Sequence, residues 1–225
     1  MSSGLYTQLL DVACGAFLLA AVIVLWRREL AAIVRVFALQ GVALATIAVL
    51  LGAHEERWDL IAVGLGVGVL RAGVLPYLMR RALTALAADR GSEEVRETQP
   101  LVNVAASLLT AALLTLLAYA VARPLTQLNP TPATRALPVG LAVVLIGFFV
   151  LVTRRRALAQ VVGFLLLDNG ITATAFLATS GVPLIVELGV SFDVLLAVLV
   201  LQILTTRIRE AFGTTDIDDL RELHD

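Results

Sequence analysis

Long apolar runs, separated by short polar or arginine-bearing breaks, recur along the whole of this 225-residue chain. Each run approaches the roughly 20 residues that an α-helix needs to cross the hydrocarbon core of a bilayer. The runs predict helices over residues 9–26, 31–51, 60–79, 101–121, 137–152, 157–179 and 182–206. We therefore expect an all-α integral membrane protein of about seven transmembrane helices.

The composition supports the same class. Hydrophobic residues make up 59% of the chain and charged residues 16%, which is more apolar material than a soluble domain of this size needs for its core. The first run follows a polar start without basic residues, and no small-residue cleavage site comes after it. We therefore expect a retained helix there rather than a signal peptide.

The arginines predict an orientation, because basic residues accumulate on the cytoplasmic side of a membrane protein. All 17 basic side chains are arginines. Twelve lie in the breaks after the first, third, fifth and seventh runs, three lie on the other side, and two lie within runs. An amino terminus outside and a carboxyl terminus in the cytoplasm follow from this asymmetry. The twelve are Arg27, Arg28, Arg80, Arg81, Arg90, Arg96, Arg154, Arg155, Arg156, Arg207, Arg209 and Arg221.

Helices one to three and five to seven would then share one orientation, with helix four returning the chain. Residues 24–50 can be laid on residues 151–177, which superposes Phe37 on Phe164, although apolar residues also align by chance. This predicts a 3+1+3 parallel repeat, as in many membrane carriers. We expect a three-helix bundle over 1–86, a cytoplasmic loop, fourth helix and stiff external Pro-rich loop over 87–136, a three-helix unit over 137–210, and a cytoplasmic tail over 211–225.

Four polar side chains fall near the middle of predicted helices: Gln40, Arg71, Asp168 and Asp193. An ionised group in hydrocarbon costs about 2.5 to 3.5 kcal/mol on insertion scales, so such groups usually face the bundle interior and mark a pathway. One interpretation is a proton path, because a buried carboxyl beside an arginine can be poised to gain and lose a proton. The other is a static ion pair that pins the bundle.

Charged residues nearer the helix ends give weaker evidence for a functional site. Asp11, Glu187 and Arg35 lie where a side chain reaches the interface cheaply, and position alone favours a structural role for them. Pro76 predicts a kink five residues beyond Arg71, which would expose backbone carbonyls near a polar site. We expect close helix packing at six glycines. These are Gly64, Gly66, Gly68, Gly73, Gly163 and Gly170.

Several kinds of site are not expected. Cys14 is the single cysteine, so one chain cannot supply a disulfide, a cysteine zinc site or an iron–sulfur cluster. His54 and His224 lie in loop or tail without neighbours that suggest a metal site. No nucleophile with a base and no cofactor fingerprint is present, so we expect no catalytic site, cofactor or metal in this chain.

The carboxyl-terminal half resembles a known superfamily. Residues 152–170, which read VTRRRALAQVVGFLLLDNG, resemble the first loop and second helix of the K-type subunit of respiratory complex I, and the C-type subunit of Mrp cation/proton antiporters is similar. Within that superfamily the chain resembles the hydrogenase 4 component E family of formate hydrogenlyase-type complexes. The matching segments are DNGI at 168–171, PLIVELGV at 183–190, FD at 192–193 and the tail at 212–220.

The resemblance implies roles for individual residues. In the K-type subunit, carboxylates on the second and third helices take part in proton transfer. The carboxylate of the second helix would align with Leu165, one turn from Asp168, and that of the third helix would align with Glu187. Component E usually has a glutamate at the Asp168 position, and Arg71 stands where a lysine is expected. The implied proton-transfer candidates are Asp168, Glu187 and Asp193, and the implied charge or structural partners are Arg71, Gln40 and Asn169.

The function that this implies is a non-catalytic membrane-arm subunit of a complex I-like, hydrogenase-linked oxidoreductase assembly, in which buried carboxylates contribute to proton translocation. Its partners would be larger antiporter-like membrane subunits and the lipid of a prokaryotic plasma (inner) membrane, and no nucleic acid. One alternative is a structural scaffold subunit of an Mrp-type antiporter or related complex. Another is a self-sufficient carrier that uses the repeat for alternating access.

Overall fold

The computed structural model describes residues 3–27, 29–90, 103–154 and 157–179. This part of the chain is built from helices, and α3, a π-helical segment and α4 follow one another without a break. The elements are α1 (Ser3–Trp26), α2 (Leu30–His54), α3 (Trp58–Gly68), the π segment (Val69–Val74), α4 (Leu75–Arg90), α5 (Val104–Leu128), α6 (Pro132–Thr153) and α7 (Ala157–Thr179).

Six helices in the described part are long and apolar enough to cross a membrane, with Trp58–Arg81 counted as one span. The prediction of an all-helical, multi-pass membrane protein is therefore confirmed. The predicted helix over 182–206 and the tail over 211–225 lie outside the described residues. The total of seven helices, the orientation, the repeat and the division into four units stay predictions.

The stiff Pro-rich loop predicted between Pro124 and Pro138 is wrong. Helix α5 continues through Pro124 to Leu128, and α6 begins at Pro132, so that only residues 129–131 connect them. A capping box starts α6: the Thr131 hydroxyl accepts from the Thr134 N–H at 3.1 Å, and the Thr134 hydroxyl accepts from the Thr131 N–H at 2.9 Å. Proline is tolerated at the first helical position, and membrane helices accommodate further prolines by local adjustment.

Two other helix ends also extend beyond the prediction. Helix α1 begins at Ser3, six residues before the predicted start, and α4 continues to Arg90 into the predicted cytoplasmic loop. His54 ends α2 instead of lying in a loop, and its ring stacks on Tyr6 of α1 at 3.9 Å between centroids. The start of α1 and the end of α2 therefore meet at one end of the bundle.

Four helices form the centre of the bundle. Helix α1 packs against α2 and α6, and α7 packs against α6 and α2. The π segment and its two flanking helices pack on the α2 side, whereas α5 packs on α6 and α1. Phe17, Phe37, Ile146 and Phe176 are fully buried between these elements. Between α2, the π segment and α7 lie the buried polar side chains Gln40, Arg71 and Asn169.

Helices α6 and α7 approach at glycines. A Cβ added to Gly163 would lie 2.6 Å from the backbone nitrogen of Leu151, and one added to Gly147 would overlap the backbone nitrogen of Leu167. Gly170 and Gly140 make equally close approaches across the same interface. Small residues of this kind allow membrane helices to gain dispersion contacts that lipid cannot replace.

The other predicted packing glycines divide into two groups. Gly64 and Gly68 of α3 do contact α2, since an added Cβ would lie 2.9 Å from Ala48 or Ala45. At Gly66 and Gly73, no atom of the described residues lies within 4 Å of an added Cβ, so the expected close packing is not found within this part of the chain.

Arg154 lies at the predicted cytoplasmic break but is not solvated. Only 3% of it is exposed, and its guanidinium donates long hydrogen bonds to the carbonyls of Val24 and Leu25 at 3.4 and 3.3 Å. These carbonyls are at the carboxyl-terminal end of α1, where a helix lacks internal donors and a cation is favourable. Arg154 therefore ties the α6–α7 connection to α1.

Candidate functional site

The site begins with an irregular turn. Arg71 lies in the π segment, whose wider turn carries i to i−5 hydrogen bonds such as that from the N–H of Leu75 to the carbonyl of Leu70. Pro76 follows at once and has no N–H to donate. The backbone irregularity expected from Pro76 thus lies around Arg71 itself, and π turns of this kind occur frequently at functional sites.

Helix α2 touches this turn directly. A Cβ added to Gly41 would lie 2.8 Å from the carbonyl carbon of Arg71 and 2.9 Å from the nitrogen of Ala72. Only glycine permits this approach without displacement of one backbone. The neighbouring Gln40 is consequently held beside the Arg71 turn, and it is 1% exposed.

The guanidinium of Arg71 is held by three side chains of α7. Its Nη2 lies 2.8 Å from Asp168 Oδ2 and donates to Thr172 Oγ1 at 2.8 Å. Its Nη1 donates to Asn169 Oδ1 at 2.5 Å. Residues three and four apart share one face of a helix, so α7 presents the three groups together. The fork of the guanidinium suits this arrangement, since it offers donors in several fixed directions.

The polar contacts continue across the bundle. Asn169 Nδ2 donates to Gln40 Oε1 at 2.9 Å, and Gln40 Nε2 donates a long hydrogen bond of 3.4 Å to the carbonyl of Phe17. The buried polar network is defined as Arg71, Asp168, Asn169, Thr172 and Gln40. It links the π segment, α7, α2 and α1 in the interior of an apolar bundle.

The chemistry of the network centres on one carboxylate. A guanidinium keeps its proton at any ordinary pH, and amides and hydroxyls do not titrate in that range. Asp168 is therefore the member that can gain and lose a proton. Its side chain is 9% exposed against 1% for Arg71, so the carboxylate lies at the more accessible end of the ion pair.

The structure brings together four of the six residues singled out in the sequence: Arg71, Asp168, Asn169 and Gln40. Glu187 and Asp193 lie outside the described residues, and their roles stay predictions.

Two other charged residues have a different position. Asp11 and Arg35 are exposed on the surface of the helices that carry them. Their positions in the sequence favour a structural role for both, and neither belongs to the network.

Two groups in these contacts were not singled out from the sequence, Thr172 and the backbone carbonyl of Phe17. The signal for Thr172 was its position four residues after Asp168, on the same helix face. A backbone carbonyl carries no sequence signal. Among the described residues, no three histidine, cysteine, aspartate or glutamate side chains come together as a metal site would require; the absence of a metal or cofactor stays a prediction.

Comparison with known proteins gives two kinds of relative. The chain is 53% identical over all 225 residues, the full length of both proteins, to an uncharacterised protein of Mycobacterium tuberculosis. It is 34% identical over 115 residues to hydrogenase-4 component E of Escherichia coli and of Shigella flexneri, and the match spans 51% of this chain and 53% of that protein. No family model and no solved structure matches.

The resemblance to hydrogenase 4 component E is thus supported over about half of the chain, whereas the relation to K-type subunits and Mrp antiporters stays a prediction. The match to the mycobacterial protein leaves no part of either chain uncovered. The chain therefore belongs to one family with that mycobacterial protein, and half of its length is related to hydrogenase-4 component E.

Proposed function

We propose that this protein is a non-catalytic membrane subunit of a hydrogenase-linked, complex I-like assembly, and that Asp168 contributes to proton translocation coupled to redox chemistry in other subunits. The observation that carries the proposal is the ion pair of Arg71 and Asp168 at 2.8 Å inside an apolar bundle. The likeness to a hydrogenase component over half of the chain supports the assembly.

An ion pair at this position is expensive. Two charges lose their hydration on burial, and well-packed apolar residues of similar volume are often as stable or more stable. Charged groups within membrane spans are accordingly rare and occur mainly in ion and proton pathways. Stability alone therefore gives a weak reason for Arg71 and Asp168, and a pathway gives a stronger one.

The side chains of the network would have different roles in such a pathway. Arg71 supplies a permanent positive charge that favours the ionised carboxylate, and a proton arriving at Asp168 weakens that attraction. The hydrogen bond from Asn169 to Gln40 fixes the orientation of both side-chain amides, and the one from Gln40 to the carbonyl of Phe17 extends the network to α1. Proton exchange would therefore occur at Asp168, while its neighbours set the affinity for the proton.

The partners follow from the same proposal. Larger antiporter-like membrane subunits would continue the proton path, and redox subunits would hold the cofactors. The protein would act within the plasma membrane of a prokaryote. The candidates Glu187 and Asp193 would provide further carboxylates of the path.

The test uses the assembled complex, captured through an affinity tag on this subunit and studied in membrane vesicles. Asp168→Asn keeps the shape of the side chain and an oxygen acceptor but removes the titrating group. We expect the loss of most of the proton movement per electron transferred, with a normal yield of complex. Asp168→Glu is the matched control, because it keeps the acid, and should retain most of the coupling.

A second candidate function is a structural scaffold, in an Mrp-type antiporter or a related complex. The observation in its favour is the complete set of partners around Arg71, which would suit a static pin. Under this alternative, Asp168→Asn would lower the yield of assembled complex and leave the coupling ratio unchanged in what assembles. Full coupling in that variant would contradict the proton-transfer proposal.

A further inference from the structure

A pocket far from the buried network lies where α5 ends and α6 begins. Its volume is about 440 Å³, within the range of small-molecule sites. We define the hairpin pocket by its lining side chains, which come from the last three turns of α5 and the first two of α6. They are Tyr119, Ala120, Arg123, Thr126, Arg135 and Pro138.

The length of α5 and the residue types at its end indicate that the hairpin pocket lies at the level of the lipid headgroups. Helix α5 has 25 residues, or about 37 Å at 1.5 Å per residue, and therefore extends past a hydrocarbon core of about 30 Å. Arg123 is within the last two turns of α5, and Arg135 is the fourth residue of α6. Tyr119 lies one turn deeper, is half exposed, and is of the type that accumulates at membrane interfaces.

Two arginines line this pocket. Neither Arg123 nor Arg135 forms an ion pair within the described part of the chain, whereas nearby Arg57 is paired with Asp59 at 2.7 Å. None of the described residues that line the pocket is acidic. Two arginines that line one pocket repel each other unless an anion lies between them, so the pocket has an excess of positive charge.

The shape of these groups suits phosphate. Planar guanidinium donors match two oxygens of a phosphate group, and the Tyr119 hydroxyl is a further donor. The amino-terminal end of α6 also contributes a favourable dipole for an anion beside Arg135. A carboxylate of the protein would be the competing partner, and the described part of the chain places none there.

We propose that the hairpin pocket binds an anionic phosphate group, carried by a lipid headgroup or by inorganic phosphate. The lipid source is favoured by position. The exposed apolar side chains of α5, such as Leu116 and Leu125, flank the pocket along the surface where acyl chains would lie. A bound headgroup would hold the α5–α6 hairpin at the membrane interface.

The test measures lipid binding to the full chain in detergent by native mass spectrometry, with phosphatidylglycerol as the anionic probe and phosphatidylcholine as the zwitterionic one. The pocket variant is R123Q/R135Q, in which both residues are exposed and the fold should persist. The matched control is R80Q/R81Q, which removes two exposed arginines at the other end of the bundle.

We expect R123Q/R135Q to weaken phosphatidylglycerol binding by about tenfold or more, and R80Q/R81Q to change it by less than about twofold. Unchanged thermal unfolding of the pocket variant would show that the fold is retained. Competition by excess inorganic phosphate distinguishes the sources: displacement by phosphate together with equal binding of the two lipids indicates the free anion. Equal binding of phosphatidylglycerol and phosphate to the parent protein and R123Q/R135Q would overturn the proposal.

Discussion

Helix α7 is attached to its neighbours by different chemistry on its two sides. Toward α6 it has glycines in direct backbone contact, at Gly163 and Gly170. Toward α2 and the π segment it has Asp168 and Asn169, which contact Gln40 and Arg71. The first side depends on the absence of side chains, and the second depends on the exact pairing of polar groups.

The difference reflects how helices associate in lipid. Acyl chains are as apolar as leucine, so burial from lipid gains little, and close packing and interhelical hydrogen bonds must supply the attraction. The glycine side should therefore be sensitive to any increase in volume, and the polar side to any loss of charge balance. The three variants that follow, ordered from the largest expected effect to the smallest, test this contrast.

Arg71→Gln should have the largest effect. It leaves the buried Asp168 carboxylate without its cation, and breaking one side of a buried pair costs about 3 to 5 kcal/mol. The free energy of unfolding of the purified protein in detergent measures the loss. The neutral pair Arg71→Gln with Asp168→Asn should recover most of it, because no uncompensated charge remains. A double variant no more stable than Arg71→Gln would contradict charge balance as the cause.

Gly147→Ala should have an intermediate effect on the glycine side. The added methyl group would overlap the backbone of Leu167, and overpacking of a close contact costs about 1 to 3 kcal/mol. Gly15→Ala and Gly66→Ala are the controls, since no atom of the described residues lies within 4 Å of either added Cβ. Both controls should leave stability equal or slightly higher, because alanine favours a helix. Equal losses in all three variants would rule out interhelical packing as the explanation.

Gln40→Leu should have the smallest effect. The variant keeps approximate side-chain volume and removes the hydrogen bond from Asn169 and the long one to the carbonyl of Phe17, and interhelical hydrogen bonds in a membrane protein average about 0.6 kcal/mol each. The same unfolding measurement detects it. A loss as large as that of Arg71→Gln would show that Gln40 supports the ion pair itself, and the two sides of α7 would then differ less than proposed.

Much of the candidate site was accessible from the sequence. Arg71, Asp168 and Gln40 stand out because each polar side chain interrupts an apolar run near its middle. Their assembly was only partly accessible: Arg71 and Asp168 are 97 positions apart, and which helices neighbour each other decides whether they meet. The π turn at Arg71 depends on backbone contact with Gly41 and on the proline that follows.

The errors have a physical pattern as well. The predicted loop between Pro124 and Pro138 rested on the prolines in that segment, whereas membrane helices retain prolines that soluble helices reject. Arg154 counted in the sequence only as one of the cytoplasmic arginines, and the structure adds that it donates to the carboxyl-terminal carbonyls of α1. The surroundings of a residue in the folded chain thus decide its structural role, which its residue type alone does not.

From the sequence alone it follows that the chain is helical and membrane-spanning, because apolar runs of this length must satisfy their backbone hydrogen bonds internally in lipid. The tertiary structure decided how the faces are used. Leucine and valine suit both the lipid surface and the bundle interior, so hydropathy cannot tell a lipid-facing helix from a central one. In the most apolar stretch of α5, 17% of the residues are buried, whereas in that of α7, 67% are buried. That choice depends on glycine contacts and polar pairs, which exist only after the helices have met.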